Sequence, residues 1–196
     1  VVDGGLHFTI SDTGWLKSLW GKFYGQWFGD SAVFVYDFEK FNGEDILQKL
    51  EKYKITTFCV PPTMYRMMLQ YDVKSYDLSS LTHCCTAGEA LNPEIYNKWL
   101  EATGHKIYEG FGQTETTVCI ATIYPWSEPV PGAIGYPVPG YDVHILGEDG
   151  ESCPRGATGE ICIRVLSRSR KTCGLLDSYN FSDEDTKKSL HDGFYH

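Results

Sequence analysis

The order of elements along this chain predicts an α/β fold: a mostly parallel sheet flanked by helices, followed by a small β-rich, barrel-like subdomain. Two observations carry that expectation. Between residues 31 and 108, short β-branched or aromatic runs alternate with segments of helical spacing, and a β-α-β-α order implies a parallel sheet. After Tyr124 the texture changes, with Pro125, Pro129, Pro131, Pro137 and Pro139 set among short β-rich pieces. We therefore expect one subdomain over residues 1–125 and a second over 126–196.

The elements follow in order. Residues 6–10 suit a short strand, and Ser11-Asp12-Thr13-Gly14 a turn. Residues 15–27 have helical spacing, with Trp15, Trp20, Phe23, Tyr24 and Trp27 expected to share a buried face. Residues 31–36 read as a strand, and residues 42–52 as an amphipathic helix with Ile46, Leu47 and Leu50 turned inward. The apolar run 55–60, halted by Pro61-Pro62, resembles a strand buried on both faces, after which residues 63–70 restart as a helix. Residues 81–86 form another expected strand, followed by a tight turn at Ala87-Gly88-Glu89-Ala90. Asn92-Pro93-Glu94 then opens a helix that Gly104 closes. In the second part, residues 142–146 and 159–165 read as strands, with a hairpin turn at Glu148-Asp149-Gly150-Glu151.

Composition narrows the function. The chain has 196 residues, 42% hydrophobic and 22% charged, enough apolar material to bury a core as a soluble body. A formal net charge of −9 argues against a nucleic-acid partner. The one basic run, with Arg164, Arg168, Arg170 and Lys171, reads as a solvated turn, a phosphate-binding role being the alternative. Seven scattered cysteines without a C-x-x-C spacing suggest reduced thiols rather than a metal framework. No signal peptide opens the chain and no run approaches a membrane span, so we expect no transmembrane segment and a cytoplasmic location. Both ends fall within patterned sequence, as in a fragment.

The densest chemistry lies in Glu109-Gly110-Phe111-Gly112-Gln113-Thr114-Glu115-Thr116, read as a loop joining two ordered elements. Together with Ala87-Gly88-Glu89-Ala90 it should emerge at the carboxyl edge of the sheet, where ligands collect. Gly88 and Gly112 let backbone approach a flat or charged ligand, Phe111 offers a stacking face, and Thr114 can hydrogen-bond a phosphate oxygen. Glu115 is a hard oxygen donor suited to Mg²⁺. The set fits a nucleotide with a metal, although an ordinary loop leading into a helix has the same composition.

Several motifs occur in order: Thr86-Ala87-Gly88-Glu89-Ala90-Leu91, the Glu109 to Thr116 octet, Gly132-Ala133-Ile134-Gly135-Tyr136-Pro137, Gly159-Glu160-Ile161 and Asp192-Gly193-Phe194-Tyr195. Over nearly its whole length the chain thereby resembles the adenylate-forming (AMP-binding) superfamily, closest to the acetyl and medium-chain acyl-CoA synthetase branch. The resemblance implies two half-reactions. A carboxylate attacks the α-phosphate of ATP and expels pyrophosphate, and the thiol of coenzyme A then attacks the acyl-adenylate. It further implies that Gly88, Glu89 and Ala90 line the adenine, that Phe111 stacks near it, and that Glu109 faces its amino edge. Gly110 and Gly112 belong to the same nucleotide-binding stretch; Thr114 would bind the α-phosphate, and Glu115 would hold magnesium. Gln113 would support the loop or approach the acyl-phosphate region, while for Glu89 a solvated carboxylate at the start of a helix stays the alternative.

Acetyl-specific relatives resemble this pattern but place a Trp where this chain has Gly112. The missing side chain would leave depth for several methylenes, each worth about 0.8 kcal/mol when buried. We therefore expect a medium-chain, branched or aromatic acid, with Trp15 and Gly112 at the acyl pocket. The family's phosphate loop, ribose-binding Asp and C-terminal lysine domain fall outside these residues, so the segment alone is expected to be inactive and at best a weak nucleotide binder. Residues 166–179 also depart from the family's Gly-rich approach to a Gly-Tyr pair. Two rivals share the motifs: an adenylation domain that loads a carrier protein, and a non-catalytic nucleotide-binding module.

Overall fold

A computed structural model describes residues 4–165 and 172–196. The first sheet has seven strands: β1 (Leu6–Thr9), β2 (Ala32–Val33), β3 (Thr57–Cys59), β4 (His83–Ala87), β5 (Ile107–Gln113), β6 (Thr117–Ala121) and β7 (Tyr136–Pro137). Its order is β2-β1-β3-β4-β5-β6-β7, parallel from β2 to β5 and antiparallel from there on. Thus the sheet takes in β7, a strand from beyond residue 125. The second sheet is antiparallel, with β8 (Val143–Leu146), β9 (Glu160–Arg164), β10 (Leu190–His191) and β11 (Phe194–Tyr195) in the order β10-β11-β9-β8. It is an open sheet among the described residues, since β8 and β10 are unjoined edges.

Helices cover the first sheet where the sequence carries capping signals. In α2 (Gly43–Lys52) the Asn42 side chain accepts the Glu44 and Asp45 amides at 2.9 and 3.3 Å. Acidic Glu44 and Asp45 then sit in the first turn and Lys49 and Lys52 in the last, each matching the helix dipole. In α4 (Pro93–Thr103) Asn92 accepts the Glu94 amide, and Gly104 ends the helix at φ +75°, a conformation open to glycine at little cost. Between them α3 (Pro62–Met68) starts on its proline.

The main core forms beneath these helices. Ile46, Leu47 and Leu50 of α2 are buried as expected, together with Phe8, Phe58, Tyr65, Met68 and Trp99. Trp99 of α4 meets the Tyr65 ring of α3 edge-on at 4.8 Å. A smaller cluster of Cys119, Ile120, Ile163 and Tyr195 joins the two sheets.

Three expectations are corrected. The aromatic segment is a π-helix, Lys17–Tyr24, continued by α1 (Gly25–Trp27), and its aromatics do not share a buried face. Trp15, Trp20 and Trp27 are 59%, 53% and 58% exposed, while Ser18 and Gln26 are buried. The π-helix winds more slowly than 3.6 residues per turn, which rotates the expected stripe, and the β1 face carrying His7 and Thr9 is polar. Second, only Ala32–Val33 of the expected strand 31–36 pairs with the sheet, as its edge. Third, the turn near residues 148–151 does not join β8 directly to β9. Gly147 N–H donates to Glu151 at 2.9 Å, Leu146 bridges Ser152, and a further loop precedes β9.

Arg164 is held by Asp142 at 3.1 Å and lies over the Phe194 ring at 5.0 Å. Arg168, Arg170 and Lys171, named with it as a basic run, lie outside the described residues. Among the described residues no helix is long and apolar enough to cross a membrane. The described cysteines are free thiols.

Candidate functional site

Strand pairing brings the two sequence-predicted segments together. In the β4–β5 ladder Thr86 faces Glu109 and Ala87 faces Gly110, so Gly88 and Phe111 leave that ladder side by side at the carboxyl edge. Gly88 takes φ +99°, which turns the chain out of β4, and Glu89 and Ala90 are exposed beyond it. Next to Ala90, the Leu91 amide donates to Glu109 Oε1 at 3.0 Å. The Glu109 carboxylate, expected to face adenine, thus ties the turn after β4 to β5. Burial pushes its pKa up, and the Leu91 N–H opposes that shift.

The motif itself is strand more than loop. β5 continues through Gln113, β6 returns antiparallel, and only Thr114, Glu115 and Thr116 form the turn. The β-branched run after the motif is what pairs with it: Gly110 faces Ala121, Phe111 faces Ile120 and Gln113 faces Thr117. The register shifts between Phe111 and Gly112, a bulge that brings the two backbones close. A Cβ on Gly112 would stand 1.6 Å from the Thr117 carbonyl oxygen. Glycine at 112 therefore has a local cause in the hairpin, separate from any part in an acyl pocket. Trp15, the other expected acyl-pocket residue, is exposed, and no hydrogen bond or ring contact among the described residues links it to Gly112.

The hairpin tip is tethered from several directions. Thr116 is buried, and its hydroxyl accepts the Gln113 amide at 2.9 Å. Tyr141 donates its phenol to the Thr116 carbonyl. Glu115 is gripped twice: the Leu176 amide donates to its carbonyl at 2.7 Å, and the Tyr179 hydroxyl to its Oε1 at 3.0 Å. Tyr195 donates to Gln113 Oε1 at 2.8 Å. Burial, then the nearby Glu115 charge, push the Tyr195 phenol pKa up, which keeps it a donor. Phe111 is half-buried against the cluster between the sheets, and Thr114 is exposed at the tip. A carboxylate and a hydroxyl on consecutive residues of one turn are a donor set that suits a hard cation such as Mg²⁺.

Other groups at this edge were missed by sequence reasoning. Thr63, at the start of α3, donates to Glu89 Oε2 at 2.5 Å, so this glutamate is engaged rather than merely solvated. Pro62, Thr63, Arg66, Glu89, Ala90 and Glu94 border a cleft of about 520 Å³, within the range of small-molecule sites. Lys17 places its ammonium 3.5 Å from the Ala87 carbonyl. Cys59 lies beside Cys85 in the β3–β4 ladder, and a hydrogen bond with Cys85 lowers its thiol pKa against the opposing effect of burial, with Lys17 adding to the lowering. The Pro61-Pro62-Thr63 stop marked Thr63 as a residue near a strand end, and Tyr195 closes the Asp192-Gly193-Phe194-Tyr195 motif, whereas Lys17, Tyr141 and Tyr179 carry no local signal.

The sequence profile described as "AMP-binding enzyme" matches residues 10–167. The chain belongs to this family. It is 42% identical over 185 residues to the mouse acyl-coenzyme A synthetase ACSM3, mitochondrial, covering 94% of this chain and 31% of that protein. Human acyl-coenzyme A synthetase ACSM5, mitochondrial, is 36% identical over 196 residues, covering 100% of the chain and 33% of the relative. The chain thus spans about a third of the length of the curated relatives it matches. Among solved structures, the anthranilate CoA ligase AuaEII in complex with anthranoyl-AMP superposes with a TM-score of 0.86 at 25% identity, over 100% of this chain and 36% of that one. A benzoate CoA ligase from Burkholderia xenovorans LB400, 21% identical with a TM-score of 0.85, covers 100% of this chain and 38% of that one and shares the fold.

Proposed function

We propose that this AMP-binding chain is part of an ATP-dependent acyl-CoA synthetase, an AMP-forming acid–thiol ligase. The observation that carries the reading is the tethered Gln113-Thr114-Glu115 tip, at the end of the strand that leaves the β4–β5 ladder beside Gly88, in a member of this family. The acid's carboxylate oxygen attacks the α-phosphate of ATP, forming an acyl-adenylate as pyrophosphate leaves. The coenzyme A thiol then attacks the acyl carbon, loses its proton, and AMP leaves. No protein nucleophile is needed, so positioning and electrostatics carry the rate.

In this assignment Gly88, Glu89 and Ala90 border the adenine, Phe111 supplies a ring beside it, and Gly110 and Gly112 keep the backbone low. The Thr114 hydroxyl, exposed at the tip, donates to the α-phosphate, and Gln113 supports the turn. Glu115, with Thr114 beside it, would hold Mg²⁺, which when bound neutralises charge on the phosphates. In the complete protein, Glu115→Ala should lower ATP–pyrophosphate exchange at least ~100-fold, the scale of losing one electrostatic stabiliser. Unchanged exchange would favour a non-catalytic nucleotide-binding module.

Relatives named acyl-coenzyme A synthetases and CoA ligases support coenzyme A over a carrier protein as acceptor. For the acid we keep a medium-chain, branched or aromatic carboxylate, the anthranilate enzyme lending support to the aromatic class. A screen of acids by pyrophosphate release should rank one of these above acetate; the highest kcat/KM with acetate would overturn it. The relatives' names point to a mitochondrial rather than a cytoplasmic compartment.

A further inference from the structure

Two phenols from distant parts of the chain end on the same three-residue stretch. Tyr179 lies 64 residues beyond Glu115 and donates to its Oε1 at 3.0 Å; Tyr195 lies 82 residues beyond Gln113 and donates to its Oε1 at 2.8 Å. Each phenol is itself held. The Tyr179 amide donates to the Thr186 hydroxyl at 2.9 Å, on the helix α5 (Asp183–Ser189), and three residues before Tyr179 the Leu176 amide grips the Glu115 carbonyl. Tyr195 is 5% exposed and pairs with Ile163 in the β9–β11 ladder.

A carboxylate on an exposed turn otherwise samples several rotamers, and ordering it at the moment of ligand binding costs entropy. The Tyr179 hydrogen bond takes that cost before the ligand arrives. It also divides the two oxygens, for Oε1 is occupied while no hydrogen bond among the described residues reaches Oε2. The Tyr195 bond fixes the residue on the other side of Thr114, so the hydroxyl assigned to the α-phosphate is bracketed by two anchored neighbours.

We propose that Tyr179 and Tyr195 are positioning residues of the adenylation step: their hydroxyls set Glu115 and Gln113 so that the turn is ready for the α-phosphate and its cation. This rests on the reading of the hairpin as the adenylating site. Because the hydroxyls do the positioning, Phe keeps the packed ring and removes the function.

The test uses the complete protein as Tyr179→Phe, Tyr195→Phe and Glu115→Gln, alone and as the Tyr179→Phe/Glu115→Gln pair. Thermal midpoint, ATP–pyrophosphate exchange split into kcat and KM for the acid, and the Kd of Mn²⁺ in the ATP complex by electron paramagnetic resonance are measured. Each Tyr→Phe change should lower kcat about tenfold, the loss of one hydrogen bond to a charged or polar partner, with KM for the acid unchanged. Tyr179→Phe should also weaken Mn²⁺ about tenfold, and should add nothing once Glu115→Gln is present. Wild-type kcat and Mn²⁺ affinity in both phenylalanine variants, with Glu115→Gln still crippled, would overturn the positioning role while leaving the site reading intact. A lowered melting point with unchanged kcat and Mn²⁺ affinity would also overturn it. Wild-type exchange in Glu115→Gln would instead sink the site reading and the proposal with it. Should one phenylalanine variant fail to fold, the other carries the kcat test.

Discussion

The core under α2, α3 and α4 and the hairpin at the end of β5 are held by different forces. In the core, Ile46, Leu47, Leu50, Phe58, Tyr65 and Trp99 are removed from water, and burial of apolar surface supplies the stability. At the hairpin tip, Thr114 is exposed, and the side chains of Gln113 and Glu115 are each held by one hydrogen bond, from Tyr195 and Tyr179. A packed core is weakened by loss of any large side chain, whereas polar tethers should be removable one at a time with the fold intact. Such a division suits a site that must stay accessible to a charged ligand yet keep its shape.

The sharpest break falls on the core. Trp99 has no exposed surface and packs on Tyr65, so Trp99→Ala should cost about 3–5 kcal/mol in urea unfolding. A loss below about 1 kcal/mol would mean that the core is less consolidated than the hairpin, and the comparison would fail.

Acid should act next, and on the sheet face opposite the apolar core. Burial lowers His7 to about 4, and its Nδ1 shares a hydrogen bond with Thr57 Oγ1 at 2.7 Å. The unfolded chain titrates near 6.5, so between pH 6.5 and 4 it binds the proton that the folded chain refuses. Stability is full above that window and falls as pH drops through it, by up to about 3 kcal/mol. Urea midpoints at pH 7 and 4.5 measure the loss, and His7→Gln should flatten it. An unchanged pH slope in that variant would assign the loss elsewhere.

The hairpin itself should be probed by size as well as polarity. Gly112→Ala places a methyl group against the Thr117 carbonyl, where backbone rather than a flexible side chain must move. Overpacking of this kind costs about 1–3 kcal/mol. Because the strain lies beside the tip, ATP affinity in the complete protein should fall with it; stability lost with affinity unchanged would separate the bulge from the site.

How far the sequence was legible follows the same division. The helix opening at Asn92-Pro93-Glu94, the stop at Gly104 and the inward face Ile46-Leu47-Leu50 are local, so spacing and side-chain chemistry were sufficient to find them. The aromatic segment failed because a π-helix changes the period on which amphipathic spacing depends. The octet was recognisable as the densest chemistry, and its family match followed from residue identity. Its conformation was not legible, because a strand pairing with the next ten residues and a loop leading into a helix can share one composition.

By itself, the sequence determined the α/β order of elements, the main apolar core and which residues carry chemistry, since each depends on neighbours within a few positions or on a period of 2 or 3.6. Only the tertiary structure decided that Glu109 ties down the turn after β4, that Gly112 relieves a backbone clash, and that Tyr179 and Tyr195 hold the tip. The three hydrogen bonds among these contacts join residues 18 to 82 positions apart. Hydrogen bonds at such separations depend on where whole strands are placed, and no local pattern encodes that.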